Sequence, residues 1–142
     1  MRILGIDLGE KRVGLAVSDP LGFTAQGLET LAIHGKKDLL RGLALVCEKY
    51  AVTEIVIGLP INMNGSHGPK AQQVKDLLPV LEEGLKIPVK TWDERLTSRQ
   101  ADRLMVAEGL SREKQKMNSD RLAATLILQG YLESKRSSRN EG

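Results

Sequence analysis

Several residue types on which protein sites are commonly built are scarce in this sequence of 142 residues. Aromatic residues make up 3%, too few for a nucleic-acid surface made of stacked rings. A single cysteine, Cys47, excludes an internal disulfide and a cysteine-rich zinc site, and two histidines cannot form a histidine-based metal cluster. No apolar run is long enough to cross a bilayer, and Asp7 interrupts the first residues before the apolar region of a signal sequence could form. We therefore expect a cytoplasmic protein.

The composition is otherwise that of an ordinary soluble globular domain. Hydrophobic residues make up 41% and charged residues 27%, and the length suits one domain, which we assign to residues 1–134. The net charge of +3 is unevenly distributed, since residues 1–94 carry 11 basic and 12 acidic side chains and residues 95–142 carry 10 basic and 6 acidic. The basic C-terminal part permits a polyanionic partner such as nucleic acid without requiring one.

Hydrophobic periodicity predicts a mixed α/β fold. The pattern of apolar residues predicts strands over residues 2–8, 12–18, 24–33, 54–58 and 87–92. Helical spacing and capping residues predict helices over about 39–50, 69–85, 97–108 and 118–134, the last capped by Asn118 or Ser119 and followed by a flexible tail over 135–142. Tight turns make the first three strands antiparallel, and intervening helices make the later strands parallel. We expect a five-stranded mixed sheet flanked by helices.

Acidic residues stand at three positions where a carboxylate is unexpected. Asp7 closes the apolar first strand, Asp93 and Glu94 follow the fifth strand, and Asp120 begins the apolar stripe of the last helix. Each position also has an ordinary explanation. Asp7 could form a turn, the acidic pair could be a solvated strand end, and Asp120 could lie in the first turn of a helix, where the helix dipole favours it.

Taken together, the three acidic positions suggest one shared site. In an open α/β sheet, functional groups gather at the carboxyl ends of the parallel strands. Carboxylates that meet there repel one another unless cations lie among them, and oxygen ligands suit Mg²⁺ or Mn²⁺. Two such ions, roughly 4 Å apart, can clamp a phosphodiester, one activating water and the other stabilising the leaving oxygen. Such chemistry on a phosphodiester needs no covalent nucleophile.

Four motifs, in order along the chain, resemble those of the YqgF family, also called RuvX. They are Gly5-Ile-Asp7-Leu-Gly9-Glu-Lys-Arg12-Val-Gly14-Leu-Ala-Val-Ser18-Asp19, Gly58-Leu-Pro60 with Asn64-Gly65-Ser66, Asp93-Glu94-Arg95-Leu-Thr97-Ser98, and Ser119-Asp120-Arg-Leu-Ala-Ala124. The resemblance runs from residue 1 to residue 133 and implies a ribonuclease H-like, RuvC-like nuclease. It implies a catalytic and metal-binding triad of Asp7, Glu94 and Asp120. The family pattern, and not the spacing, selects Glu94 over Asp93.

Six further polar residues are candidates for substrate binding. The loop after the fourth strand offers side-chain donors to a phosphate near the start of a helix, where free backbone N–H groups bind anions. Arginines beside the acidic motifs could hold a phosphate through two hydrogen bonds. The ordinary alternatives are a strand-to-helix turn and surface arginines. The candidates are Asn62, Asn64, Ser66, Arg12, Arg95 and Arg99.

The resemblance implies one of two nucleic-acid substrates. The first is RNA, in trimming of the 5′ end of the small-subunit ribosomal RNA precursor. The second is a four-way (Holliday) DNA junction, whose resolution requires two symmetry-related active sites and hence a homodimer. We rank RNA processing first, for a monomer or a homodimer that has no membrane partner.

Two other classes of function stay open. Asp7-Leu-Gly9 resembles the first phosphate loop of actin-like ATPases, although 142 residues supply only one of their two lobes. The chain could also be a noncatalytic RNA-binding module that keeps the fold.

Overall fold

The computed structural model describes residues 2–93 and 112–141, and for residues 112–121 and 137–141 it describes the backbone alone. Within these residues one sheet is flanked by three helices. The strands are β1 (Arg2–Leu8), β2 (Arg12–Ser18), β3 (Ala25–Gly27), β4 (Leu31–Ala32), β5 (Val52–Leu59) and β6 (Val89–Asp93). The helices are α1 (Lys36–Lys49), α2 (Pro69–Leu85) and α3 (Arg112–Glu141).

The sheet is mixed, as the connections predicted. Its order is β3-β2-β1-β5-β6, with β4 also paired to β2. The β1–β2 hairpin and the pairs made by β3 and β4 are antiparallel, whereas β1, β5 and β6 are parallel. The described sheet has six strands and not five, because the third predicted strand is two short ones. The break follows Gly27, and glycine weakens the interior of a strand.

Alternation along β1 divides the core into two layers. Leu4 and Ile6 belong to a cluster with side chains of α1 and α2, whereas Ile3 packs in a second cluster with Ile127 and Leu128 of α3. We call the two sides of the sheet the α1/α2 face and the α3 face. Cys47 lies in the first cluster, as expected for an apolar helical stripe, and burial raises the pKa of its thiol to about 11.

Helix α3 is longer at both ends than its sequence pattern suggested. It begins at Arg112, so the expected caps Asn118 and Ser119 lie inside it. The charged stretch 112–116 consists of good helix formers, which explains the earlier start. The helix continues to Glu141, past the expected end at Ser134, while flexibility of 135–142 stays a prediction. The helix predicted over 97–108 lies outside the described residues.

No helix within 2–93 or 112–141 combines the length and the apolar character needed to cross a membrane.

A polar cluster anchors the C-terminal half of α3 to the sheet. The Glu54 carboxylate on β5 accepts hydrogen bonds from the Tyr131 hydroxyl and the Lys135 ammonium, both at 2.7 Å. Partial burial alone would raise the pKa of Glu54, but the two hydrogen bonds and the positive charges of Lys135 and Lys90 together outweigh it, and the pKa is lowered. Burial and the bond to Glu54 raise the pKa of Tyr131. Arg136 adds a hydrogen bond of 3.1 Å to the carbonyl of Phe23. The cluster therefore fixes where α3 lies along the sheet.

Ser18 and Asp19, which close the first motif, have structural roles. The buried Ser18 hydroxyl accepts a hydrogen bond of 2.8 Å from the Ile3 N–H, where the β1–β5 register shifts. The Asp19 carboxylate accepts the N–H groups of Phe23 and Thr24 at 2.7 and 2.8 Å. The bond from Thr24 is the main cause of the lowered pKa of Asp19. The predicted turn after β2 is therefore confirmed.

We expect the interactions of the Glu54 carboxylate with Tyr131 and Lys135 to stabilise the protein less in acid. A glutamate whose pKa is lowered by folding stabilises the protein above its ordinary pKa of 4.5, and that contribution is lost as the pH falls through the lowered value. Glu54→Gln should reduce the free energy of unfolding by about 1 kcal/mol at neutral pH, and by less at about pH 3. Urea unfolding at the two pH values measures both, with the exposed Glu48→Gln as control. If Glu54→Gln reduced the free energy of unfolding equally at both pH values, the stabilising role of the Glu54 charge would be contradicted.

Candidate functional site

Asp7 lies at the carboxyl end of β1, on the α3 face of the sheet. Ile3 faces α3, and alternation puts Gly5 and Asp7 on the same side. Asp7 pairs directly with Gly14 of β2, a buried glycine that places no side chain of its own beside the half-buried carboxylate.

Helix α3 crosses β1 at very short distance. A Cβ on Gly5 would lie 2.8 Å from the Cβ of Leu128 and 3.1 Å from the carbonyl oxygen of Ala124. Ile3 shares a small surface pocket with Leu132, so α3 descends from residue 132 to residue 128 as β1 rises from residue 3 to residue 5. The helix and the strand therefore run in opposite directions, one helical turn for every two strand residues.

This direction carries the backbone of Asp120 toward the Asp7 end of β1. Asp120 lies one turn before Ala124, and it lies about in the third turn of α3, since the helix begins at Arg112. The helix dipole acts mainly within the first turn, so a dipole explanation for this aspartate loses its support. The side chain of Asp120 is outside the described part of the chain.

Asp93 lies on the opposite side of the sheet from Asp7. On β6, Val89 packs in the α1/α2 cluster and Trp92 in the α3 cluster, so alternation assigns Asp93 to the α1/α2 face. Asp93 pairs with Leu59 of β5, so it ends its strand at the same edge of the sheet as Asp7. Glu94, Arg95 and Arg99 fall within 94–111, outside the described residues. Among the described side chains no group of three metal-ligating residues comes together.

Arg12 is on the same face as Asp7. Val13 packs on the α1/α2 face, so its neighbours Arg12 and Gly14 are assigned to the α3 face. Because Gly14 is the direct partner of Asp7, Arg12 lies diagonally across the hairpin, a spacing of roughly 7–8 Å that a long side chain can bridge. The guanidinium is therefore within reach of a group bound beside Asp7.

The side chains of Asn62, Asn64 and Ser66 are bonded to one another. The Ser66 hydroxyl and N–H both donate to the Asn64 side-chain oxygen, at 2.6 and 3.0 Å, and the Asn62 amide donates to the Ser66 hydroxyl at 3.1 Å. Gly65, with φ +87°, closes the loop through an N–H bond of 2.8 Å to the Asn62 carbonyl. The loop is thus internally bonded, while all three residues stay exposed for binding.

Sequence reasoning attached no role to Gly14, although it stands in the first quoted motif. Its significance depends on strand pairing, which makes it the direct partner of Asp7. Trp92 has a packing role: its ring meets Tyr131 edge to face at 6.3 Å between centroids.

Solved structures identify the fold as that of ribonuclease H-like resolvases. RuvC of Thermus thermophilus in complex with a Holliday junction substrate is similar to this chain with a TM-score of 0.59 at 14% identity over 96% of each chain. The Fowlpox virus resolvase in complex with Holliday junction DNA is similar with a TM-score of 0.56 at 14% identity, over 94% of this chain and 98% of that one. At such identities the likeness establishes the fold alone.

Sequence comparison gives the family. The profile described as RuvX, Holliday junction resolvase, matches residues 1–134. Relatives in Syntrophomonas wolfei and Clostridium acetobutylicum, both named "Putative pre-16S rRNA nuclease", are each 50% identical over 133 and 134 residues. These matches cover 94% of this chain and 94% and 99% of the relatives. The chain belongs to the RuvX family.

We expect Gly5→Ala to be strongly destabilising. Its methyl group would meet the Cβ and backbone of α3, which cannot rotate away, so the free energy of unfolding should fall by about 1–3 kcal/mol. Gly42→Ala on α1 is the matched control, because its methyl would meet only the flexible end of Leu31 and alanine favours the helix. Urea unfolding measures both variants. Equal stability of the two would contradict the close approach of α3.

Proposed function

We propose that this chain is a metal-dependent nuclease that hydrolyses nucleic-acid phosphodiesters at the carboxyl edge of its sheet. The observation that carries the proposal is the direction of α3, which brings the backbone of Asp120 toward the end of β1 that bears Asp7. The family of the chain and the names of its relatives support a nuclease independently.

Alternation supports Glu94 as the third acid. Trp92 belongs to the α3 cluster and Asp93 ends β6 on the other face, so Asp93 is turned away from Asp7. The acid of this pair that we assign to the site of Asp7 is therefore Glu94. This reasoning is independent of the family pattern, and it leaves Asp93 without a direct role.

The surroundings of Asp7 fit a divalent cation. Three carboxylates would supply hard oxygen ligands, which suit Mg²⁺ or Mn²⁺, and Gly14, the direct partner of Asp7, adds no side chain that would compete for the position beside it. Asp7, Glu94 and Asp120 would hold the metal, most simply as two ions. When bound, such ions lower the pKa of a water molecule and neutralise charge on the phosphate.

The chain's own residues would bind and orient the substrate. The guanidinium of Arg12, diagonal to Asp7, is in position to hold a phosphate oxygen through two hydrogen bonds. Arg95 and Arg99 would add positive charge from the segment after β6. Asn62, Asn64 and Ser66 form a bonded loop at the end of β5, so they would meet the substrate as one rigid unit.

We rank RNA first as the substrate. The relatives at 50% identity are named for the precursor of 16S ribosomal RNA, whereas the solved resolvases are 14% identical. Processing of such a precursor would locate the chain in the cytoplasm. The family description favours a second candidate, resolution of Holliday junctions, which requires a homodimer. RNA cleavage is compatible with a monomer.

We expect Asp7→Asn to abolish cleavage without unfolding the protein. Asparagine fills the same volume but withdraws the negative charge that holds the metal, so cleavage should fall by roughly a thousandfold, a loss of several kcal/mol. Structured RNA, single-stranded RNA and a four-way DNA junction, each with Mg²⁺ or Mn²⁺, form the assay, and circular dichroism checks the fold. Undiminished cleavage by the variant would defeat the nuclease assignment. RNA binding that persists after metal removal, without cleavage, would indicate a noncatalytic module. Tight binding of ATP would indicate an ATPase.

We expect substitutions of the neighbouring acids Asp93 and Glu94 to differ sharply in their effect on cleavage. Glu94→Gln should reduce cleavage about as much as Asp7→Asn, whereas Asp93→Asn, a change of the same charge one residue away, should reduce it less than about threefold. Rates at saturating Mg²⁺ measure the pair. A larger loss for Asp93→Asn than for Glu94→Gln would contradict the assignment of the faces.

A further inference from the structure

A second cleft lies on the α1/α2 face, beside the edge that carries the proposed active site. It is bounded by the β1–β2 turn and by the beginnings of α1 and α2, and its volume is about 720 Å³. That volume is within the range of roughly 300–1,000 Å³ typical of small-molecule sites. The function described above makes no use of this cleft.

The lining of the cleft combines an apolar floor with a charged rim. Leu39 and Leu77, both largely buried, contribute to the floor together with Ile33. The rim carries the exposed ammonium groups of Lys36 and Lys70 and the exposed carboxylates of Glu10 and Asp76. Lys70 is 4.0 Å from Glu10, a spacing at which an ion pair is weak in water. Such a lining suits a ligand that combines an apolar flat part with hydrogen-bond donors at its edge and an anionic group, as a nucleotide does.

The cleft begins at the residue that follows Asp7. Leu8 and Gly9, which line it, directly follow Asp7, and each chain step is 3.8 Å between Cα atoms. Gly9 makes the turn narrow: its N–H bonds the Arg12 carbonyl at 2.9 Å, and a Cβ there would lie 2.6 Å from that oxygen. A strand bound at Asp7 would therefore have only the turn of residues 9–11 to cross between the α3 face and the α1/α2 face.

We propose that this cleft binds one nucleotide of the substrate strand, adjacent to the phosphodiester that is cleaved. The base would lie on the apolar floor and its phosphate near Lys36 and Lys70. The position next to Asp7 and the charged rim favour a nucleotide over an apolar peptide or a second copy of the chain. The inference rests on the proposed function, because it assigns a subsite to that same substrate.

Binding of a mononucleotide tests the site apart from catalysis. Adenosine 5′-monophosphate is titrated into the ¹⁵N-labelled full chain, and into Lys36→Glu and Lys37→Glu. Lys36 lines the cleft and Lys37, equally exposed in the same helix, does not, so the pair separates the cleft from general charge. We expect shifts of the Gly9 and Gly35 amide signals, and an affinity about tenfold weaker for Lys36→Glu and within about twofold for Lys37→Glu. No shift at these glycines, or equal weakening by both variants, would overturn the proposal.

Cleavage of an oligonucleotide by the same pair separates this inference from the nuclease proposal. If the wild type cleaves and Lys36→Glu raises the KM about tenfold with kcat unchanged, the nuclease proposal and the subsite are both supported. If the wild type cleaves and the two lysine variants behave alike, the subsite is wrong and the nuclease stands. If nothing is cleaved while the glycine signals shift, the nuclease fails and with it the assignment of the ligand to a substrate strand. Gln73→Trp, which would fill the cleft, should block the nucleotide, and a change in oligomeric state instead would identify a second copy as the occupant.

Discussion

The contact between α3 and β1 at Gly5 is the constraint on which the proposed site depends. With 2.8 Å between the Leu128 Cβ and the position a Gly5 Cβ would occupy, no larger residue fits without moving the helix. The Glu54 cluster and the Arg136 bond fix where the helix lies along the sheet. Contacts from 124 to 136 therefore determine where residue 120, up to about four turns away, lies relative to the first strand.

The order of the elements could be predicted from the sequence, because it depends on local periodicity. The hairpin, the parallel strands and helices α1 and α2 lie close to their expected bounds. The predictions of the third strand and of the C-terminal end of α3 were wrong because both depend on other parts of the molecule. β3 and β4 exist only as partners of β2, and the end of α3 is held by Glu54 and Phe23, which are remote in sequence.

The candidate site was predictable only in part, for a similar physical reason. Asp7 could be singled out because a carboxylate at the end of an apolar strand is costly. The motif itself could not distinguish residues that support the fold from residues that face a ligand. Ser18 and Asp19 bond to backbone N–H groups, whereas Gly14 is the direct partner of Asp7, and only the folded structure separates these roles. The cleft beside Gly9 could not be predicted from the sequence, since its lining comes from three separate segments.

A crystal structure of the full chain soaked in Mn²⁺ tests the central claim most directly. Anomalous scattering would locate the ions without reference to any assay. We expect at least one ion bonded at roughly 2.0–2.3 Å to carboxylate oxygens of both Asp7 and Asp120, with Glu94 on the same face. Manganese bound elsewhere, with the carboxylates of Asp7 and Asp120 too far apart to share an ion, would contradict the account.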